Sequence, residues 1–211
     1  MTAPAPERRR APKMSPELRR QMIVRSTLAL IAEHGLALTT RQIALAAGIS
    51  EATMFQVFAD KDELLHACMV EAARPDEVLR ELAGIPLDGS VTARLLEAAG
   101  ALEAYLTRMG TVMAYLEASG HARAWRESAA STAGLREVHE AVESVVASLA
   151  ALLAPEEDSL RLPPGQIAQA YFDLLFARSR VLGRPLSDSQ LPGLVQLLVH
   201  GALMTTDAPR G

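Results

Sequence analysis

Residues 39–64 read TTRQIALAAGISEATMFQVFADKDEL: two short helical patterns meet at a single glycine, and a third helix starts directly after them. Thr39 suits an N-cap and Gln42 follows three positions later, the spacing of a reciprocal capping box. Ile43 and Ala47, four apart, fall on one inward face of the first helix. Gly48 ends it, because a left-handed residue after a helix costs little only without a Cβ. Ile49 is apolar and fits as a plug between the helices. Ser50 caps the second helix, expected over residues 51–58, and the small Ala44, Ala47 and Ala52 let the two helices cross closely. Asp60, with Glu63 at N3, caps the third. This is the layout of a helix-turn-helix, whose second helix enters the major groove of duplex DNA.

The rest of the composition agrees with an all-α chain. Aromatic residues make up 4% of the 211, Ala and Leu are plentiful, and no alternating strand pattern of useful length occurs. An apolar content of 49% suffices for the core of one or two small domains. The single cysteine, Cys68, excludes an internal disulfide and suits a reducing compartment; on an apolar helix its expected role is packing rather than redox sensing. Charge is uneven: residues 1–61 hold nine Arg or Lys against five Asp or Glu, and the remainder twelve against twenty. A basic head on an acidic body places phosphate attraction at the head.

Enzyme chemistry finds no foothold. The five histidines are scattered, no HExxH or paired Cys/His spacing occurs, Cys68 has no evident His-Asn partners, and there is no glycine-rich phosphate loop. No metal ligand, catalytic residue or cofactor is expected. The most apolar stretch, 191–204, is short for a bilayer and interrupted by Pro192, Gln196 and His200. No apolar segment follows Arg8, Arg9 and Arg10 as in a signal peptide, so a cytoplasmic protein is expected.

Thr39, Ile43-Ala44, Ala47-Gly48-Ile49-Ser50, Ala52-Thr53, Phe55, Phe58, Lys61 and Leu64 together resemble the DNA-binding domain of the TetR family of transcriptional regulators. The resemblance spans residues 15–65, including an upstream stripe of Ile23, Thr27, Leu30 and Ile31 closed by Gly35. It departs from the family pattern at three points. Phe55 stands where Tyr is usual, Val57 where a polar residue is usual, and Arg25 where an acidic one is common. The resemblance implies a three-helix head and a divergent helical body that binds a ligand and dimerises. It also implies that Thr39, Thr40, Arg41, Ser50, Glu51, Ala52, Thr53, Phe55, Gln56 and Lys61 lie at or near DNA. Chemically, Gln56 suits adenine and Ala52 a thymine methyl, while Arg41 suits guanine or phosphate. Ser50, Thr53 and Lys61 suit phosphate. Glu51 either rejects phosphate, reads cytosine or is a solvated charge.

Residues 1–14, with three prolines and three consecutive arginines, read as a disordered basic arm, followed by a DNA-binding domain over 15–61 and a body over 62–211. Ser15 as N-cap and Pro16 at N1 start the first helix. Further helices are expected near 77–83, 91–108, 111–119, 122–128, 135–153, 165–182 and 188–205. Breaks fall at Gly84-Ile85-Pro86, Gly110, Gly120, Gly134, Pro155, Pro163-Pro164 and Gly183-Arg184-Pro185, and Ser187 with Gln190 forms another capping box.

The last two helices carry wide apolar faces: Ile167, Ala170, Tyr171, Leu174, Leu175 and Arg178, then Leu191, Leu194, Val195, Leu198 and Ala202. Paired with their copies they make a four-helix homodimer bundle. The expected effector pocket is walled by Met69, Leu102, Tyr105, Met109, Met113, Leu116, His121, Trp125, His139, Phe172 and Phe176, apolar surfaces with a few polar tips that suit a largely apolar small molecule. The expected function is a repressor released from a palindromic operator by that ligand. The alternatives are an activator or a ligand-independent architectural DNA binder.

Overall fold

The computed structural model describes residues 14–34, 38–123, 133–182 and 189–202. Arg8 to Arg10, Gly35, Trp125 and Ser187 lie outside them, as does the break at 183–185. Among the described residues the regular structure is helical: α1 (Pro16–His34), α2 (Thr40–Ala46), α3 (Glu51–Phe55), α4 (Lys61–Ala72), α5 (Asp76–Ala83), α6 (Val91–Ala118), α7 (Ala133–Ala151), a 3-10 turn (Ala154–Ser159), α8 (Pro164–Leu182) and α9 (Leu191–Ala202).

Two apolar cores organise these helices. The head core joins Ile23, Ile31, Ile43, Met54, Phe58, Leu64, Leu65 and Cys68. It continues through α4 to Ala72 and takes in Val112, Tyr115 and Leu116 from the far end of α6. The body core runs from Ala73 through the first part of α6 into α7, α8 and α9. α6 is the shared beam, touching α1, α4, α5, α8 and α9. It runs unbroken through Gly110, where the sequence suggests a stop. A helical glycine costs only about 1 kcal/mol, and the burial of Leu102, Leu106, Val112 and Leu116 along this helix outweighs it. Gly134, another expected break, lies within the first turn of α7. The helix expected at 122–128 falls mostly outside the described residues.

The stripes expected to pair two copies are largely used within the monomer. Ile167, Tyr171, Leu175, Arg178, Leu191 and Val195 are buried, in α8 and α9 where these pack on α6 and α7. One face of each helix cannot serve both purposes. What remains outward is a narrower strip that includes Ala170 and Leu197, the latter 72% exposed.

Local chemistry sets the turn of the head. The Thr39 hydroxyl accepts from the Gln42 amide at 3.2 Å and the Gln42 side chain accepts from the Thr39 amide at 2.8 Å, the anticipated capping box. At the other end of α2 the Ile49 amide reaches the Ala44 carbonyl and the Gly48 amide the Leu45 carbonyl, both at 3.0 Å, closing a Schellman turn. Gly48 holds φ +66°, and an added Cβ there meets nothing within 4 Å. Its requirement is therefore backbone strain alone. Gly48→Ala is expected to cost about 1–2 kcal/mol and Gly48→Asn less, as read from thermal unfolding midpoints; equal midpoints for Ala and Gly would refute the strain.

Candidate nucleic-acid interface

α3 is a short rod. It ends at Phe55 with Gln56 as its C-cap, shorter than the 51–58 expected, because residues 56–57 tighten into a turn that delivers Phe58 to the core. Ser50 caps it, its hydroxyl accepting from the Thr53 amide at 3.1 Å and lying 2.8 Å from the Thr53 hydroxyl. Met54 faces inward. Ala52, Phe55 and Gln56 face solvent. Ala52 therefore lies on the outer face, and the close crossing with α2 is left to Ala44 and Ala47, both buried.

Thr40 and Glu51 are tied to each other, hydroxyl to carboxylate at 2.6 Å, across α2 and α3. Thr39 and Arg41 are exposed, Thr39 through its capping bonds to Gln42. Lys61 makes contacts within the protein: its Nζ donates to the Leu38 carbonyl at 2.8 Å and sits 5.6 Å from the centre of the Tyr115 ring. The Tyr115 hydroxyl approaches the same carbonyl at 3.5 Å.

Residues that sequence reasoning missed hold the reader in place. The Arg20 guanidinium lies 4.4 Å from the Phe58 ring centre and donates to Glu63 at 2.9 Å, bolting α1 to the turn after α3. Glu63 accepts from the Ala59 amide at 2.7 Å. That amide, and after it Arg20, hold the carboxyl below its ordinary range against the opposing effect of burial. No local pattern reveals Arg20, whose partner lies 43 residues on. Leu45, 79% exposed on α2, was also missed.

The expected effector residues among those described are divided between the two cores and the surface. Leu102, Tyr105, Met109, Phe172 and Phe176 belong to the body core, the two phenylalanines stacked at 6.3 Å. Met69, Met113 and Leu116 belong to the head core. His121 pairs through Nδ1 with the Asp62 carboxylate. His139 is a surface residue, 73% exposed with its Nε2 3.0 Å from a Glu143 carboxylate oxygen, because it sits on the outer side of α7. Two grooves between described helices are lined by other side chains. One of about 600 Å³, between α1, α4 and the start of α7, is edged by Arg20, Glu63, His66, Arg74 and Glu137. A second of about 450 Å³ lies among Arg25, Asp76, Glu77, Arg80 and Arg108. Among the described residues no cluster of His, Cys, Asp or Glu is arranged to hold a metal. No described helix is long and apolar enough to cross a membrane.

Residues 23–68 match the family model for bacterial regulatory proteins of the tetR family. No curated protein matches the chain. Among solved structures, a TetR-family transcriptional regulator of Mesorhizobium loti superposes with TM-score 0.65 at 15% identity, covering 91% of this chain and 100% of its own. A transcriptional regulator of Rhodococcus gives 0.58 at 22%, covering 91% and 100%. A ketosteroid transcriptional regulator of Mycobacterium tuberculosis gives 0.55 at 17%, covering 89% and 96%. At these identities the likeness is one of fold. Residues 23–68 thus carry a DNA-binding module similar to that of the tetR family, its α3 facing solvent, and the chain as a whole shares the all-helical fold of these solved regulators.

Proposed function

We propose that this protein is a homodimeric, cytoplasmic repressor that reads the two halves of a palindromic operator and is released by a small, largely apolar ligand in its body. The observation that carries the reading is the outward face of α3, where Ala52, Phe55 and Gln56 stand exposed on a helix fixed at its start by Ser50 and tied to α2 through Glu51. One such rod contacts few base pairs, so specificity in a genome requires two, related by a dimer axis. The outward strip left on α8 and α9 supports a narrower dimer contact than the full stripes suggest.

Ligand control needs a joint between body and head, and the start of α4 has the chemistry for one. Lys61 ties α4 to the residue ahead of the α2 cap and to Tyr115 near the end of α6. Asp62 pairs with His121 just beyond that helix. A shift of α6 therefore reaches the reader through polar contacts as well as packing. A ligand drives such a shift only by binding the two arrangements unequally.

Selection of bound duplexes from a random pool tests the reading: it should return an inverted repeat, and compounds screened against that complex should include ones that release it. Gln56→Ala is expected to lower affinity for the selected site by roughly 1–3 kcal/mol while leaving random duplex unaffected. An equal fall on both would remove Gln56 as a base reader.

A further inference from the structure

We infer that the operator core read by α3 is made of A·T pairs and is recognised in large part through thymine methyl groups. The inference rests on the DNA-reading function proposed above and names what that face selects. In the major groove, guanine is read by the bidentate donors of Arg or Lys, and cytosine by an acceptor such as Glu or Asp. Adenine is read by the amide of Asn or Gln, and the thymine methyl by apolar surface.

α3 carries no Arg or Lys over Glu51–Phe55, nor at its C-cap Gln56. Its one carboxylate, Glu51, is half-buried and accepts the Thr40 hydroxyl at 2.6 Å, which holds it against α2. Ser50 and Thr53 bond each other at the helix start. What is left to meet bases is Ala52, Gln56 and Phe55, whose ring is 46% exposed. Two of these surfaces are apolar and the third is an amide suited to adenine, so the bidentate Arg or Lys donors that read guanine are missing from the face, and its one carboxylate is held by Thr40. Phe55 carries no hydroxyl for a phosphate, which leaves its exposed ring to contact with methyl groups. Arg41, exposed on α2, is the nearest basic side chain ahead of α3 in sequence, and any guanine preference it brings should vanish in Arg41→Ala.

The test uses the full-length protein and the duplexes it selects from a random pool. Runs of A·T pairs are expected in the core of each half-site. Replacing one contacted thymine by deoxyuridine, which lacks the methyl, should weaken wild-type binding about fourfold. Phe55→Ala should abolish the thymine preference at its position, and Gln56→Ala should keep it. Equal affinity for thymine and deoxyuridine throughout the core would overturn the inference, and so would G·C pairs that persist in Arg41→Ala. Those measurements on wild-type protein stand even if Phe55→Ala fails to fold. A pool with no recurring motif would instead defeat the function proposed above, and this inference with it.

Discussion

Arg94→Met is expected to destabilise the protein by about 3 kcal/mol, the largest effect of any single polar substitution argued for the body. Arg94 lies in the first turn of α6 and is only 2% exposed. One guanidinium nitrogen donates to the Leu87 carbonyl at 2.6 Å and the Gly89 carbonyl at 2.8 Å. The other meets the Glu156 carboxylate. A single side chain thus satisfies the α5–α6 connection and pins the 3-10 turn beside it. Methionine keeps most of the stem volume, so its cost isolates the polar loss: two carbonyls without donors and a carboxylate without its counter-charge. Glu156 is 29% exposed and water can solvate it in part, which keeps the cost at the lower end of the range for broken buried pairs. Glu156→Gln retains an acceptor and should cost about 1 kcal/mol. For a chain of this size 3 kcal/mol corresponds to a fall of roughly 6–12 °C in Tm. A midpoint for Arg94→Met indistinguishable from wild type would show that the loop holds itself without the guanidinium.

Sequence alone made the head legible because its instructions are local. Thr39 with Gln42, Ser50 with Thr53, and Asp60 with Glu63 each act across three residues, and all three bonds are present. Gly48 declares its own conformation. The body was legible as helices but not as surfaces. Ile167, Tyr171 and Leu175 form a stripe whichever partner they meet, and only the folded chain assigns them to α6 and α7 rather than to a second copy. Lys61 illustrates the same limit inside the head. Its sequence position at a helix N-terminus next to the reader suits phosphate, but its contacts within the protein, the Leu38 carbonyl 23 residues back and the Tyr115 ring far ahead, are beyond local reach. Glu51 reads as a phosphate rejector, a cytosine reader or a solvated charge, and only the fold puts Thr40, eleven residues earlier, on its carboxylate. Periodicity records that a side chain faces inward; it carries no information about which element waits there.

Alkaline pH should unfold this protein unusually early, and Cys68 should be responsible for much of the loss. The Cys68 thiol is fully buried in the head core. Burial, with a smaller contribution from the Glu71 charge, pushes it from about 9 up to about 12. Tyr105 in the body core is pushed from 10 up to about 12, again by burial, with Arg108 opposing. Burial raises Tyr171 as well. In each case the folded state holds a proton that the unfolded chain releases at lower pH. The contribution to stability is therefore complete below about pH 9 and lost as pH climbs toward about 12. Near pH 11 the loss amounts to roughly 2.5 kcal/mol for Cys68 and roughly 1 for Tyr105. Cys68→Ala removes the first of these. Its urea midpoint should start lower than wild type near pH 8, because a buried atom is gone, yet fall less steeply as pH rises. The two stability curves should converge by about pH 11. Parallel curves would mean that the thiolate finds solvent without global unfolding, and that the packing of α4 against α1 around Val24 is looser than the buried sulfur requires.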